Sequence, residues 1–472
     1  MNLKHIQPEI PDSNPFENCK LDRKKYADIL TNIITSYPDG FVLAINNKWG
    51  TGKTTFVKMW EQNLKNQDFQ TVYFNAWEND FENNPLIALM GELKTLTTKS
   101  TEPAFKSTLK KAATLSKHLA PIVVKSIADR YINTENVKDA IDGITKGVSE
   151  IFENEVNEYS KRKKNISEFR ISLGKFIESR ESNKSLIFII DELDRCRPDY
   201  AVSILEQIKH FFSIPNITFV LSIDKIQLGN AIRGVYGSDK IDAEEYLRRF
   251  IDLEYSIPEP DSKIFDKYLY DYYQFDDFFA SPGRIKYSEL RYDKSDFLKI
   301  SEIIFSTSNV SLREQEKIFS LCRISLRSFG ENHYVFPFLY LFLIFIKFKR
   351  IDFYNALKSH RLNIQNLQES IFEIVENKIN SNNEHQLIVL EAYLLNHYCN
   401  SLNLGHQNKI ILYEADGNIP TQNKLLISSI INKNKSIDLL RVLESLEGRR
   451  NGGDIELNYF INKIELLEEL QF

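Results

Sequence analysis

The stretch NNKWGTGKTT, residues 46–55, carries the residue types that hold a phosphate. Gly52, Lys53 and Thr54 close the pattern G-x-x-x-x-G-K-S/T, and Asn47 stands where that pattern has its first glycine. In such a loop, backbone N–H groups and the N-terminus of the next helix point at phosphate oxygens. Glycines let the backbone approach closely and take positive φ. Lys53 would reach the β- and γ-phosphates of a nucleoside triphosphate, and the Thr54 hydroxyl would bind Mg²⁺. The nucleotide-contact candidates are Asn47, Lys48, Trp49, Gly50, Thr51, Gly52, Lys53, Thr54 and Thr55. Asn is the non-glycine residue that best tolerates the left-handed region, so Asn47 is expected to take the glycine conformation, with affinity in question.

A second set of carboxylates answers the loop. In SLIFIIDELDR, residues 185–195, an apolar run ends in Asp191, which would hold Mg²⁺ through water. Glu192 follows, placed to orient and deprotonate an attacking water. Asp194 is open to two roles, a further polar contact or a cap of the turn. Ser222 and Asp224 end ITFVLSID, and Asp224 is a candidate to cap the following helix. The chemistry these types perform together is attack of water on a γ-phosphate.

Positioning them requires strands that end beside the loop. FVLAIN (41–46), TVYFNAW (71–77), SLIFII (185–190) and ITFVLSID (217–224) read as buried strands, and TTFVKMWEQNLK (54–65) and AVSILEQIKHFF (201–212) as helices between them. Strands apolar on both faces and alternating with helices specify a parallel α/β sheet. Lys53 and Asp191 stand 138 positions apart. The polar, helical stretch 97–184 therefore reads as an insertion between the two motifs. Residues 263–299 are crowded with Tyr, Phe and Asp without a clean period, and residues from 300 onward read as helices.

Bulk properties narrow the class. The chain has 472 residues, 42% hydrophobic and 26% charged, enough for a sizeable core. A net charge of −5 argues against a global grip on nucleic acid, though a local basic groove stays open. Four well-separated cysteines and eight histidines show no ligand or disulfide spacing. The start MNLKHIQPEIPDSNPF has no signal-peptide core, and a cytoplasmic location is expected. VFPFLYLFLIFI (335–346) has 12 residues where a membrane span needs about 20, so it reads as a buried helix. KRKK (161–164) reads as a solvated helix face or a membrane-surface contact.

WGTGKTTF, VYFNAWENDFENNPLIAL, IFIIDELDRCRPDYAVSILEQIKHFFSIPNITFVLSIDK and EEYLRRFIDLEYSIPEP, in this order, resemble the KAP family of P-loop NTPases. The hallmark pieces are FNAW after the second strand, LDRC-x-P after the acidic pair, and YL-x-K/R before a short strand. The resemblance covers residues 20–260, with a weaker match to about 325. It implies a P-loop NTPase fold, a parallel sheet flanked by helices, over an NTPase domain of residues 1–330 that holds the helical insertion 97–184; residues 331–472 beyond it read as a helical C-terminal region. Many family members carry transmembrane helices at the insertion. Here HLAPIVVKSIA (118–128) is its most apolar stretch and is too short to span, which implies a soluble member. The resemblance further implies ATP and Mg²⁺ as ligands and ATP hydrolysis as the activity. Arg249 takes the family's basic position, open between an arginine finger reaching a neighbouring subunit and a surface salt bridge. Asp224 matches the family pattern at a position where related ATPases read the γ-phosphate, and stays open between that role and the helix cap. Arg313 is open to a second sensor role, and Trp77 reads as a packing residue.

The expected function is an ATP-driven switch of conformation or assembly, as a homo-oligomer or with a separate effector. Phage-exclusion proteins in the family suggest bacterial anti-phage defence. A nucleotide-binding scaffold with little hydrolysis and a nucleic-acid-dependent ATPase are the alternatives.

Overall fold

A computed structural model describes residues 8–119, 147–180, 182, 184–306, 310–403, 410–415, 423–446 and 452–465. The chain forms two compact units, one ending at Glu259 and the next beginning at Pro260.

The first unit is built on five strands: β1 (Val42–Asn46), β2 (Thr71–Asn75), β3 (Leu186–Asp191), β4 (Ile217–Ile223) and β5 (Leu253–Tyr255). Their order is β2-β3-β4-β1-β5, and every pairing is parallel. Register sets Asn46 opposite Ile223, Ser222 opposite Asp191, and Asp191 opposite Asn75. The carboxyl ends of four strands are therefore level at one edge, where parallel sheets of this kind receive ligands.

Both faces of the sheet are covered, which is why its strands read as continuous apolar runs. Leu43, Ile45, Ile187, Ile189 and Val220 pack toward α1 (Lys24–Ser36) and α2 (Lys53–Lys65). Ala44, Phe188, Ile190, Phe219 and Leu221 face the opposite cluster. That cluster takes in α3 (Pro85–Lys94), α4 (Glu102–Leu119), α5 (Gly147–Glu178), α6 (Pro198–His210), α7 (Lys225–Tyr236) and α8 (Ala243–Arg248).

The insertion is helical where it is described. Helices α4 and α5 run antiparallel, joined by Phe105 against Phe176 with ring centroids 5.1 Å apart. Thr108 meets Ser172 at 3.0 Å, and Lys111 pairs with Glu168 at 2.5 Å. Phe105, Leu115, Phe169 and Phe176 join the sheet's own core, so the pair is anchored to the sheet. The KRKK run is on α5, with Lys161 and Lys164 exposed and facing Glu158 and Glu168, in keeping with a solvated helix face. Most of the apolar stretch 118–128 lies outside the described residues.

The second unit is mainly helical. It comprises α9 (Ser262–Tyr272), α10 (Asp276–Phe279), α11 (Asp293–Phe305), α12 (Leu312–Ser325), α13 (Pro337–Lys349), α14 (Ile351–Lys358), α15 (Ile364–Val375), α16 (Glu384–Leu402), α17 (Ser436–Ser445) and α18 (Leu457–Glu465). Two departures from the sequence reading appear. A short antiparallel pair, Tyr413–Ala415 with Asn423–Leu425, interrupts the helices. Residues 263–299, which show no period, form α9, α10 and the start of α11 around Tyr270, Phe275, Phe279 and Phe297. Short helices joined by tight turns turn a new face inward before 3.6-residue periodicity accumulates. The run 335–346 is a buried helix as expected, with every residue of Pro337–Ile346 buried in α13. Among the described residues, no helix is long and apolar enough to cross a membrane.

Candidate nucleotide-binding site

The loop between β1 and α2 bends at its glycines. Gly50 and Gly52 both have φ of +79°, conformations that a side chain strongly disfavours. Asn47 does not take a positive φ, so the expected glycine-like conformation is corrected. Its backbone N–H continues the sheet, donating to the Ile223 carbonyl at 3.1 Å. Its side-chain amide acts as an extra ladder rung. Nδ2 donates to the Ile257 carbonyl at 2.8 Å, and Oδ1 accepts from the Ile257 N–H at 2.9 Å. Asn47 thus ties the end of β1 to the chain leaving β5.

The rest of the loop is held from several sides. The buried Arg23 guanidinium donates to the Thr51 carbonyl at 2.8 Å and the Gly52 carbonyl at 3.1 Å. The Trp49 N–H donates to Asp224 at 3.2 Å, and its indole N–H donates to the Asp194 carboxylate. Lys53, the first residue of α2, donates to the carbonyls of Asn47 and Lys48. Burial lowers the Lys53 pKa, while Asp194, Asp224 and Asp191 act to raise it and Arg195 to lower it further. Burial raises the Asp194 pKa, opposed by Trp49 and Lys53.

Across the sheet edge, Asp191 is buried at the end of β3. It accepts from the Tyr73 hydroxyl at 2.9 Å and from the Glu192 N–H at 3.0 Å. Burial first, then the charge of Asp191, pushes the Tyr73 phenol up, so it stays a donor. Glu192 has φ of +61°, a strained position for a non-glycine residue and one of the places where function is sought. Its carboxylate accepts from Arg195 at 2.6 Å and from Asn75, at the end of β2, at 3.3 Å.

Other candidates separate by position. Asp224 does cap α7, accepting from Ile226 and Gln227, while its second oxygen holds Trp49. Ser222 is fully buried with its hydroxyl unpartnered. Trp77 is 53% exposed and lies against the Arg195 guanidinium, so it packs on a side chain at the site and not in the core. Arg248 forms exposed pairs with Glu244 and Glu245, and Arg249 is exposed at the end of α8. Arg313 is exposed in the first turn of α12, in the second unit. Sequence reasoning missed Arg23, Tyr73, Asn75 and Arg195. Asn75 and Arg195 had a signal, a polar residue at a strand end inside FNAW and an Arg three places after Glu192. Arg23 had none.

Thr54 is the second residue of α2, and Asp191 lies on the face of the sheet that α2 covers, in step with Ile187 and Ile189. A hydroxyl and one buried carboxylate suit Mg²⁺, which takes few protein ligands. No cluster of three or more His, Cys, Asp or Glu able to hold a metal occurs among the described residues.

The KAP family P-loop domain model matches residues 23–324. The chain belongs to the KAP family. The matched stretch of this KAP protein takes in Arg23, the whole sheet and both motifs, and it ends in the second unit. Two solved structures of the Aeropyrum pernix ORC2 protein are similar to it. Its ADP form is 13% identical with a TM-score of 0.33, covering 99% of this chain and 87% of that one. Its ADPNP–ADP complexes are 13% identical with a TM-score of 0.30, covering 90% and 94%. Likenesses this slight carry no inference about the KAP protein. No curated protein matches it.

Proposed function

We propose that this KAP protein binds ATP with Mg²⁺ and hydrolyses it, and that the cycle switches its conformation or assembly. The observation that carries the reading is one sheet edge holding three things: a loop bent at Gly50 and Gly52, the Lys53 amine, and Glu192 held at positive φ beside the buried Asp191. In this reading Lys53 and the loop amides from Gly50 to Thr55 bind and neutralise the phosphates, while the N–H groups of Asn47 and Trp49 stay on Ile223 and Asp224 and set the loop. Thr54 and Asp191 would hold Mg²⁺, which when bound offsets charge on the β- and γ-oxygens. Glu192 orients the attacking water and takes its proton. Asp224 holds the loop through Trp49.

Arg249, exposed at a helix end, is proposed to serve a neighbouring copy in a homo-oligomer. Arg313 is proposed as a second sensor. A cytoplasmic anti-phage switch acting through a separate effector is the setting proposed from the family resemblance. A second reading, a scaffold that binds nucleotide and barely hydrolyses it, is favoured by one observation: both Glu192 oxygens are engaged, by Arg195 and Asn75.

Steady-state ATPase assays of wild type and Glu192→Gln, with and without DNA or RNA, separate these readings. A loss of about 10²-fold or more in the variant is expected. No turnover in either protein with ATP binding retained would establish the scaffold, and strong stimulation by nucleic acid a nucleic-acid-dependent ATPase. Light scattering with and without ATP tests assembly, and a monomer throughout removes the role of Arg249 in trans.

A further inference from the structure

Glu192 and Arg195 form an ion pair of 2.6 Å whose side chains are only 13% and 24% exposed. Its geometry comes from the backbone. Glu192 sits at φ 61° and ψ 24°, and the next three residues, Leu193–Arg195, form a 3₁₀ turn. The Arg195 N–H donates to the Glu192 carbonyl at 3.1 Å, so the turn folds the Arg195 side chain back over that of Glu192. A non-glycine residue held there is strained, and the surrounding contacts must offset that strain.

One further contact fixes the guanidinium. It lies 5.6 Å from the centroid of the Trp77 ring. Trp77 is held by its N–H bond to Asn75 at 3.1 Å, and its loop by the Arg197–Asp80 ion pair at 2.7 Å. The turn that carries Arg195 also meets the phosphate loop, where Asp194 accepts from the Trp49 indole N–H. A guanidinium also presents a planar fork of donors that matches phosphate oxygens as well as it matches a carboxylate.

We infer that Arg195 senses the terminal phosphate within its own chain: it holds Glu192 while no triphosphate is bound and exchanges the carboxylate for a γ-phosphate oxygen when one arrives. The inference rests on the ATP reading above. A diphosphate has no γ-oxygen to offer and leaves the pair intact. Glu192 is thereby freed to meet water only when there is a bond to cleave.

Affinity tests this without turnover. The probes are ADP and an imido-bridged, non-hydrolysable ATP analogue, bound to wild type, Arg195→Ala, Arg195→Lys, Glu192→Gln and the Glu192→Gln/Arg195→Ala double variant. Arg195→Ala is expected to weaken the analogue about tenfold, the equivalent of one charge-assisted hydrogen bond, and ADP less than about twofold. Arg195→Lys should retain part of the preference. Glu192→Gln removes the competitor, so the analogue should bind several-fold tighter, and that gain should vanish in the double variant. A gain that persists without Arg195 would mean simple charge repulsion by Glu192 and would overturn the sensor. Equal weakening of ADP and analogue in Arg195→Ala would assign Arg195 a structural role and overturn it too. If wild type binds neither probe, the ATP reading itself fails and the sensor with it. If wild type binds and hydrolyses ATP but Arg195→Ala keeps the preference, only the sensor fails.

Discussion

Replacing Asn47 by glycine restores the letter that the phosphate-loop pattern asks for, and the structure says this should harm the protein. Asn47 does not have a positive φ, so glycine relieves no strain there. The substitution deletes two hydrogen bonds to the Ile257 backbone, at 2.8 and 2.9 Å. Each contributes a net of about 1 kcal/mol, and Ile257 is only 4% exposed, so its freed N–H and carbonyl are poorly placed to recover water. Glycine adds about 0.5–1 kcal/mol through the freer unfolded chain. The expected loss is about 3 kcal/mol. With a urea slope of about 3 kcal/mol per molar, near the upper end for single domains, the midpoint should fall by about 1 M. Tryptophan fluorescence reads this unit alone, because Trp49, Trp60 and Trp77 all precede Glu259. Nucleotide affinity should fall as well, since Lys53 rests on the Asn47 carbonyl. An unchanged midpoint together with tighter nucleotide binding would refute this account and restore Asn47 as a strained substitute for glycine.

Arg23→Ala should free the Thr51 and Gly52 carbonyls, costing about 2–4 kcal/mol from two charge-assisted bonds and weakening nucleotide binding; the same fluorescence melt and a nucleotide titration check both. Gly40→Ala should be worse, at least about 3 kcal/mol, because its φ is +88° and a methyl group would lie 2.1 Å from the Ile217 carbonyl oxygen; a folded protein with a wild-type urea midpoint would contradict this. In the second unit, burial holds the pKa of His397 down to about 4 while its ring donates to the Ile455 carbonyl at 2.7 Å. The folded state favours neutral His397, so its contribution is whole above about pH 6.5 and is lost as pH falls toward 4, by about 1.4 kcal/mol per unit. His397→Asn keeps a donor for Ile455 and removes the titration, so urea melts followed by circular dichroism at pH 7 and 4.5 should differ by about 2–3 kcal/mol less than in wild type.

The sheet was legible because a parallel strand buried on both faces reads as a nearly continuous apolar run, as LIFII (186–190) does and as ITFVLSI (217–223) does but for Thr218 and Ser222. Both halves of the site were legible because their chemistry is local in sequence: a glycine bend before a helix, and carboxylates at a strand end. What stayed hidden depends on contacts distant along the chain. Asn47 reads as a damaged glycine until Ile257, 210 residues later, is seen bonded to it. Arg23 is an ordinary basic residue before α1 until the loop closes over it. The aromatic segment 263–299 defeats periodicity because its helices are short and its rings fill a shared core from several directions.

The loop is tied to four different parts of its unit, and that arrangement bears on how phosphate binding could spread. Asn47 reaches the segment after β5, Arg23 comes from the start of α1, Asp224 caps α7, and Asp194 belongs to the turn that carries Arg195. Lys53 meanwhile bonds two carbonyls of its own loop. A phosphate that draws Lys53 away from those carbonyls changes the backbone to which Asn47 belongs. A phosphate that draws Arg195 away from Glu192 pulls on the turn whose Asp194 holds Trp49. The first move would be felt at the chain leaving β5 and the second, through Trp49 and Asp224, at α7. A site that only bound nucleotide would work as well with a loop fastened at one point. Four fastenings on four elements give a change in the loop four places to reach, which is what the proposed switch requires.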